Sequence, residues 1–219
     1  MLTQTIPSGP FATNAYVIAC ENTRQAVIID PAPNSTQAIV NALTEKQLTP
    51  VAIWLTHSHW DHIADVAPLK NTYRIPVMVH SEDAPNLQNP GSDSLPCWIS
   101  IEGVETFTPI DEGTRLTVGD LTFRVIHTPG HTPGGVCFYC PENSVLFSGD
   151  TLFKGTIGNL SFATARPHLM WPSLKKLALL PPDTKVYPGH GPRTTIGAET
   201  WLNRAEEVFG GDVYDDDDD

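Results

Sequence analysis

The stretch Thr56-His57-Ser58-His59-Trp60-Asp61-His62 follows directly on the apolar run Val51-Ala52-Ile53-Trp54-Leu55, and that junction limits the chain more than any other feature. A β-branched and aromatic run of this length after Thr49-Pro50 reads as a buried strand. The end of such a strand is where α/β folds place their chemistry. While the backbone stays extended, His57 and His59 point to the same side. Asp61 and His62 then open an apolar-periodic segment, Ile63, Val66, Ala67 and Leu69, which predicts a short helix. A lone histidine is normally a satisfied core or surface residue. Three within six positions around an aspartate are not explained by packing, whereas neutral imidazole and carboxylate are standard ligands of zinc and its neighbours.

The remaining sequence bounds what surrounds this cluster. A chain of 219 residues, 40% hydrophobic and 17% charged, suits one soluble domain that buries a full core without disulfides. We place that domain at residues 1–210. Residues 211–219 then form an acidic tail, with the run Asp215 to Asp219 read as solvated and disordered. The formal charge of −12 argues against nucleic-acid partners, which require clustered Lys and Arg. Bound divalent cations would make one pocket locally positive, so an anionic small substrate is not excluded. No apolar run reaches the length of a membrane span, and the first residues lack the charged and apolar regions of a signal peptide. The expectation is a cytoplasmic protein acting on a small molecule, without membrane partners. Cys137 and Cys140 have C-x-x-C spacing but lie in an apparent strand, where residues three apart face opposite sides. With Cys20 and Cys97 they read as unpaired thiols that behave as small hydrophobes.

Taken in order, Asn14–Cys20 and Ala26–Asp30 predict a β-hairpin. Asp30 either caps the following turn or supports a site from behind; the residues alone leave both open. Asn34 or Ser35 can cap a helix with apolar positions Ala38, Ile39, Ala42 and Leu43. The strand and histidine loop follow, then a strand at Pro76–His80, giving an α/β layered order. The segment Asp83 to Gly103 is rich in Pro, Gly, Asn and Ser and reads as a long loop or partly helical insertion forming one pocket wall. His80 reads as structural. Short strands come next at Thr106–Thr108, Arg115–Val118, Leu121–Ile126, Gly135–Cys140 and Ser144–Ser148, with Gly119-Asp120 as a tight turn. Three further polar points fall at strand ends: His127-Thr-Pro-Gly-His131-Thr-Pro-Gly-Gly, Ser148-Gly149-Asp150 and Pro188-Gly189-His190-Gly191-Pro192. Helices are predicted over His168–Leu180 and Ile196–Phe209.

The four segments THSHWDH, HTPGHTPGG, FSGDTLF and PGHGP, in this order over residues 56–192, resemble the metallo-β-lactamase superfamily, and within it short glyoxalase II-like (hydroxyacylglutathione hydrolase-like) hydrolases. The resemblance implies a four-layer αββα sandwich with two divalent metal ions at one edge, zinc first, with iron or manganese as alternatives. By the same comparison His57, His59 and His131 would hold one ion, and Asp61, His62 and His190 the other. Asp150 would bridge the two, and Asp61 and Asp150 would take part in catalysis. Asp30 becomes a carboxylate behind the ligands, and His127 a loop-stabilising residue. His59 favours the hydrolase branch over the oxygen-reducing diiron branch, which usually has an acidic residue there. Asp150 weighs against a true β-lactamase, since members of that group lack this aspartate.

Two departures bear on substrate. Full-length glyoxalase II proteins continue into a helical domain that helps to bind glutathione, and only about thirty residues follow His190 here. Where the family often has Gly-x-x-Gly-Arg, this chain has Gly155-Thr-Ile-Gly158-Asn159. Lys154, Arg166 and Arg193 read as solvated surface charges. Two metals about 3.5–4 Å apart can share a water, lower its pKa and polarise a carbonyl. No separate general acid stands out, which suits a thiolate leaving group of pKa about 8.5 better than an amine. The expected reaction is thioester hydrolysis by a metal-bridging hydroxide. Lactone or ester hydrolysis on the same site, and persulfide dioxygenation at a single iron, are the rivals. A nuclease lacks support in this acidic chain.

Overall fold

In the computed structural model, which describes residues 1–210, the strands form two six-stranded sheets laid face to face. The first sheet runs β1 (Leu2–Ser8), β2 (Thr13–Ala19), β3 (Gln25–Ile29), β4 (Thr49–Trp54), β5 (Val77–His80) and β6 (Thr108–Ile110), in that order across its width. The pairings β1–β2 and β2–β3 are antiparallel, and those from β3 to β6 are parallel. The second sheet takes β7 (Arg115–Val118), β8 (Leu121–His127), β9 (Val136–Cys140), β10 (Val145–Gly149), β11 (Lys185–Pro188) and β12 (Thr194–Thr195). It is antiparallel from β7 to β10, parallel at β10–β11 and antiparallel at β11–β12.

Helices α1 (Thr36–Glu45), α2 (Trp60–Ile63), α3 (Val66–Tyr73) and α4 (Ala84–Gln88) connect the first sheet, whereas α5 (Pro167–Ala178) and α6 (Ala205–Phe209) belong to the second. Period-two alternation sorts the side chains into three apolar layers. In β4, Ile53 joins Ile39, Leu43 and Leu69 beneath the helices. Its neighbour Trp54 turns into the layer between the sheets, with its ring 5.1 Å from Phe123 and 5.3 Å from Phe138. In β9, Cys137 packs towards Leu174 and Leu177 of α5 while Cys140 faces the inter-sheet layer. The two thiols are on opposite faces, and all four cysteines are free. The result is the αββα sandwich expected of the sequence. Strands buried on both faces are why the apolar runs of β2, β3 and β4 are continuous rather than alternating.

Some local expectations need correction. Neither Ser35 nor Asn34 caps α1 with its side chain: the Asp65 carboxylate accepts from Thr36 N–H (2.7 Å) and Thr36 Oγ1–H (2.7 Å), a cap supplied from the start of α3. The single closing helix over Ile196–Phe209 is instead two 3-10 turns followed by α6. Buried Glu199 breaks it, because its carboxylate accepts from Thr194 Oγ1–H, Gly155 N–H and Trp201 Nε1–H. The strand expected at Thr106–Thr108 lies two residues later, at β6. The acidic tail at 211–219 lies outside the described residues. Among the described residues no helix is long and apolar enough to cross a membrane.

Candidate metal centre

All the candidate ligands stand at or just past the ends of strands, along one edge of the sandwich. His57 and His59 leave β4 and lead into α2, which carries Asp61 and His62 in its single turn. His131 follows β8, Asp150 follows β10 and His190 follows β11. As extended backbone dictates, the His57 and His59 rings lie on one side, with centroids 4.8 Å apart. The loops bring distant segments into register through buried polar links. Asp83 accepts from Ser58 N–H (2.9 Å) and Gly134 N–H (2.6 Å), joining the β4 loop to the β8 loop. Asn14 Nδ2–H donates to the carbonyls of Pro188 and Gly191, both at 3.0 Å, and holds the His190 loop on β2.

Seven side chains converge there as two groups. Ligand atoms of His57, His59 and His131 lie within 4.8 Å of one another, and so do those of Asp61, His62 and His190. His190 Nε2 stands 3.3 Å from both Asp61 Oδ2 and Asp150 Oδ2, and His62 Nε2 is 3.4 Å from Asp150 Oδ1. Asp150 Oδ2 is also 3.5 Å from His131 Nε2, so this carboxylate reaches both groups. Ligand atoms about 2.0–2.1 Å from a tetrahedral ion stand about 3.3–3.4 Å from each other, which matches these separations.

The ring orientations are fixed from behind. Asp30 Oδ2 accepts from His62 Nδ1–H (3.0 Å) and from Thr56 Oγ1–H (2.5 Å), and Asp30 Oδ1 accepts from Thr56 N–H (2.8 Å). Because Thr56 spends its hydroxyl proton on Asp30, its oxygen is left to accept from His57 Nδ1–H at 3.1 Å. His131 Nδ1–H donates to the Asn159 carbonyl (2.7 Å), and His190 Nδ1–H to the Phe11 carbonyl (3.2 Å). Each of these rings therefore turns Nε2 into the centre, the arrangement that second-row hydrogen bonds produce around metal ligands. Asp30 is thus a supporting carboxylate and not a turn cap. Thr13 Oγ1–H does the same for Asp61 Oδ2 at 2.6 Å.

Buried groups left without partners test whether the donor set suits cations. His57 Nε2, His59 Nε2, His131 Nε2 and Asp150 Oδ1 are buried and make no hydrogen bond. An orphaned buried polar atom costs about 1–3 kcal/mol, so four around one point need a ligand. Imidazole and carboxylate donors in two adjoining groups fit two borderline divalent ions. Before a cation binds, protonation follows the same geometry. Burial holds His59 down to about 3, with His131 adding to the effect, and burial likewise lowers His57 and His131. Burial also opposes charge on His190, but hydrogen bonds to Asp150 and Asp61 outweigh it and push the ring up to about 9. His62 is raised by the same kind of contest, with Asp61 and Asp150 outweighing burial.

Close backbone approach explains two glycines. A Cβ on Gly189 would run into Asp150 Oδ1 and His62 Cε1, and one on Gly158 into the Asp150 carbonyl and His131 Nδ1. A further cluster, His80, Glu82 and His127, lies apart from the centre. Its two imidazoles stack face to face at 4.2 Å and 13°, so their in-plane lone pairs run parallel. His80 Nε2–H donates to Asp111 and His127 Nε2–H to the Pro133 carbonyl, so each ring is tied to its own neighbourhood. Arg166 donates to the carbonyls of Thr164 and Ala165.

Comparison with known proteins agrees with the geometry. Residues 8–190 match the family described as the metallo-beta-lactamase superfamily. The Haemophilus influenzae protein named hydroxyacylglutathione hydrolase GloC is 31% identical, over 90% of this chain and 94% of its own. Among solved structures, BLEG-1 B3 metallo-beta-lactamase superposes with a TM-score of 0.83 at 40% identity, covering 90% of this chain and 96% of the other. TTHA1623, solved in a di-iron-bound form, gives a TM-score of 0.81 at 39% identity over 91% and 98% of the two chains.

Proposed function

This chain belongs to the metallo-β-lactamase superfamily, and from that premise we propose that it is a two-metal hydrolase of thioesters, of the glyoxalase II type. His57, His59 and His131 would hold one ion, Asp61, His62 and His190 the other, and Asp150 would link them. When bound, such a pair supplies a Lewis acid for the carbonyl and a water of lowered pKa. Zinc and iron both suit the donors, and the TTHA1623 structure holds two irons.

One observation carries the choice of substrate bond. The titratable side chains lining the cleft above the centre are His59, Asp61, His131, Asp150 and His190, all of them candidate ligands. Among the described residues no separate acid faces the cleft, so in this reading the leaving group departs without a proton from the protein. A thiolate does this readily and an amide nitrogen does not. Asp30, Thr56, Thr13 and the Asn159 carbonyl keep the donor atoms aimed before substrate arrives, so little reorganisation is left for the reaction itself. The relative named hydroxyacylglutathione hydrolase supports the same bond.

β-Lactam opening is the second reading, favoured by the likeness to BLEG-1 and opposed by the presence of Asp150. The deciding experiment compares kcat/KM for thioesters, lactones and cephalosporins on protein prepared without chelator, with oxygen uptake on a persulfide as control. Thioesters turned over fastest, without oxygen uptake, are expected. A faster β-lactam or lactone, or oxygen consumption on persulfide, refutes the proposal.

A further inference from the structure

The cleft above the centre encloses about 460 Å³. Its polar lining consists of five candidate ligands and Asn159, and the rest of its walls are apolar. Phe11, Trp60 and Trp98 form one wall, with ring centroids 5.4 Å (Phe11–Trp60), 5.6 Å (Trp60–Trp98) and 6.4 Å (Phe11–Trp98) apart. Phe162 lies against the rings of His59 and His131 at 5.4 and 5.6 Å, and Phe153 against His190 at 5.9 Å, so further aromatic rings flank the candidate ligands. Leu95 and Pro96 complete the rim. With Trp98, they come from the segment after α4, which therefore does supply a pocket wall.

Exposure singles out two of these rings. Trp60 is buried, whereas Phe11 is 50% and Trp98 67% exposed. Large aromatic surface left in water at the mouth of a site is surface that an apolar ligand would cover. Phe11 is also tied to the centre, because its carbonyl receives the His190 Nδ1–H bond.

Charge points the same way. Among the described residues, no lysine or arginine lines the cleft. Glutathione carries a carboxylate at each end, several bonds from its sulfur, and coenzyme A carries phosphates. Cations at the centre would serve a group beside the reacting carbonyl, but anions several bonds away need partners of their own, because a carboxylate removed from water without one is costly. The chain's net charge of −12 adds repulsion at longer range. Size does not decide, since a cleft of this volume takes a ligand of either kind.

We infer that the substrate is a thioester with an apolar acyl group on an uncharged thiol, and that Phe11 and Trp98 are the residues that select it. The inference rests on the thioester reading above, and the test separates the two. Four thioesters, lactoyl or phenylacetyl on glutathione or on N-acetylcysteamine, are assayed with the metal-loaded full chain, its Trp98→Ala and its Phe11→Ala variants. Binding of two inert thioethers, S-phenethyl-N-acetylcysteamine and S-methylglutathione, is measured by calorimetry with and without metal.

Phenylacetyl-N-acetylcysteamine is expected to exceed lactoylglutathione in kcat/KM by at least about tenfold, and either variant to shrink that ratio towards one. The phenethyl thioether is expected to bind more tightly than S-methylglutathione even without metal, and about tenfold more weakly to Trp98→Ala. Preference for lactoylglutathione, or a ratio that neither variant alters, overturns the inference while leaving thioester hydrolysis intact. If no thioester is cleaved yet the phenethyl thioether binds in a Trp98-dependent way, the assigned reaction falls and the apolar selection stands.

Discussion

Replacing Asp30 with asparagine changes one buried atom and leaves the backbone undisturbed, because Asp30 sits at φ 48° and asparagine tolerates that left-handed conformation well. The carboxylate accepts three hydrogen bonds, two on Oδ2 and one on Oδ1. Asparagine has one acceptor oxygen. With that oxygen at the Oδ2 position, its NH2 meets Thr56 N–H. Turned the other way, its NH2 meets His62 Nδ1–H, and the Thr56 hydroxyl proton loses its acceptor. Either choice strands at least one buried donor, at a cost of about 1–3 kcal/mol. It also weakens the fixing of two candidate ligand rings, for which the usual penalty is about 10–100-fold in metal affinity. That range corresponds to about 1.4–2.7 kcal/mol, so the two estimates agree.

The assay titrates metal-free wild-type and Asp30→Asn protein against a chromophoric chelator of known affinity, with melting curves of both metal-free proteins as a check on folding. A folded variant that binds metal at least about tenfold more weakly is expected. Affinity within about twofold of wild type at unchanged stoichiometry would refute the idea that Asp30 holds His57 and His62 in their binding orientation.

Two further outcomes follow from the same geometry. Against burial, Asp61 and Asp150 raise both His62 and His190, His190 to about 9, although the two Nε2 atoms stand 3.3 Å apart and repel when both are charged. Burial lowers His57, His59 and His131. A cation takes only the unprotonated ring, so loading at pH 7 should release about one to two protons and tighten as pH rises towards 9. Calorimetry in buffers of different ionisation enthalpy counts these protons, and a count of zero contradicts the assignment. Gly189→Ala should lose metal and melt earlier, by about 1–3 kcal/mol of overpacking, because its Cβ drives against Asp150 and His62. An alanine variant with full metal content would show that this approach is not needed.

Much of this site is legible in the sequence because its donors are clustered locally and fall at strand ends. His57, His59, Asp61 and His62 share one short loop, and the Pro and Gly around His131 and His190 mark the turns that expose them. The sheets are legible because strands such as β4 and β9, buried on both faces, leave unbroken apolar runs. What escapes is whatever depends on distant partners. Thr13 is 48 positions from Asp61, and Asp83 is 51 from Gly134, so neither belongs to any local pattern. Thr56 stands inside the motif, yet its part as a link between Asp30 and His57 appears only when three segments meet. The edge strands β1 and β12 escape for another reason. One is mostly half-exposed and carries Pro7, and the other is two residues long, so neither has a hydrophobic signature. The broken C-terminal helix shows buried hydrogen bonding by Glu199 overriding a helical period.

The most direct test is anomalous diffraction from crystals of the metal-loaded chain. The account predicts two peaks about 3.5–4 Å apart, one at the Nε2 atoms of His57, His59 and His131 and one at Asp61, His62 and His190, with Asp150 touching both. A single peak, or an Asp150 or His190 turned away from the cations, would contradict it.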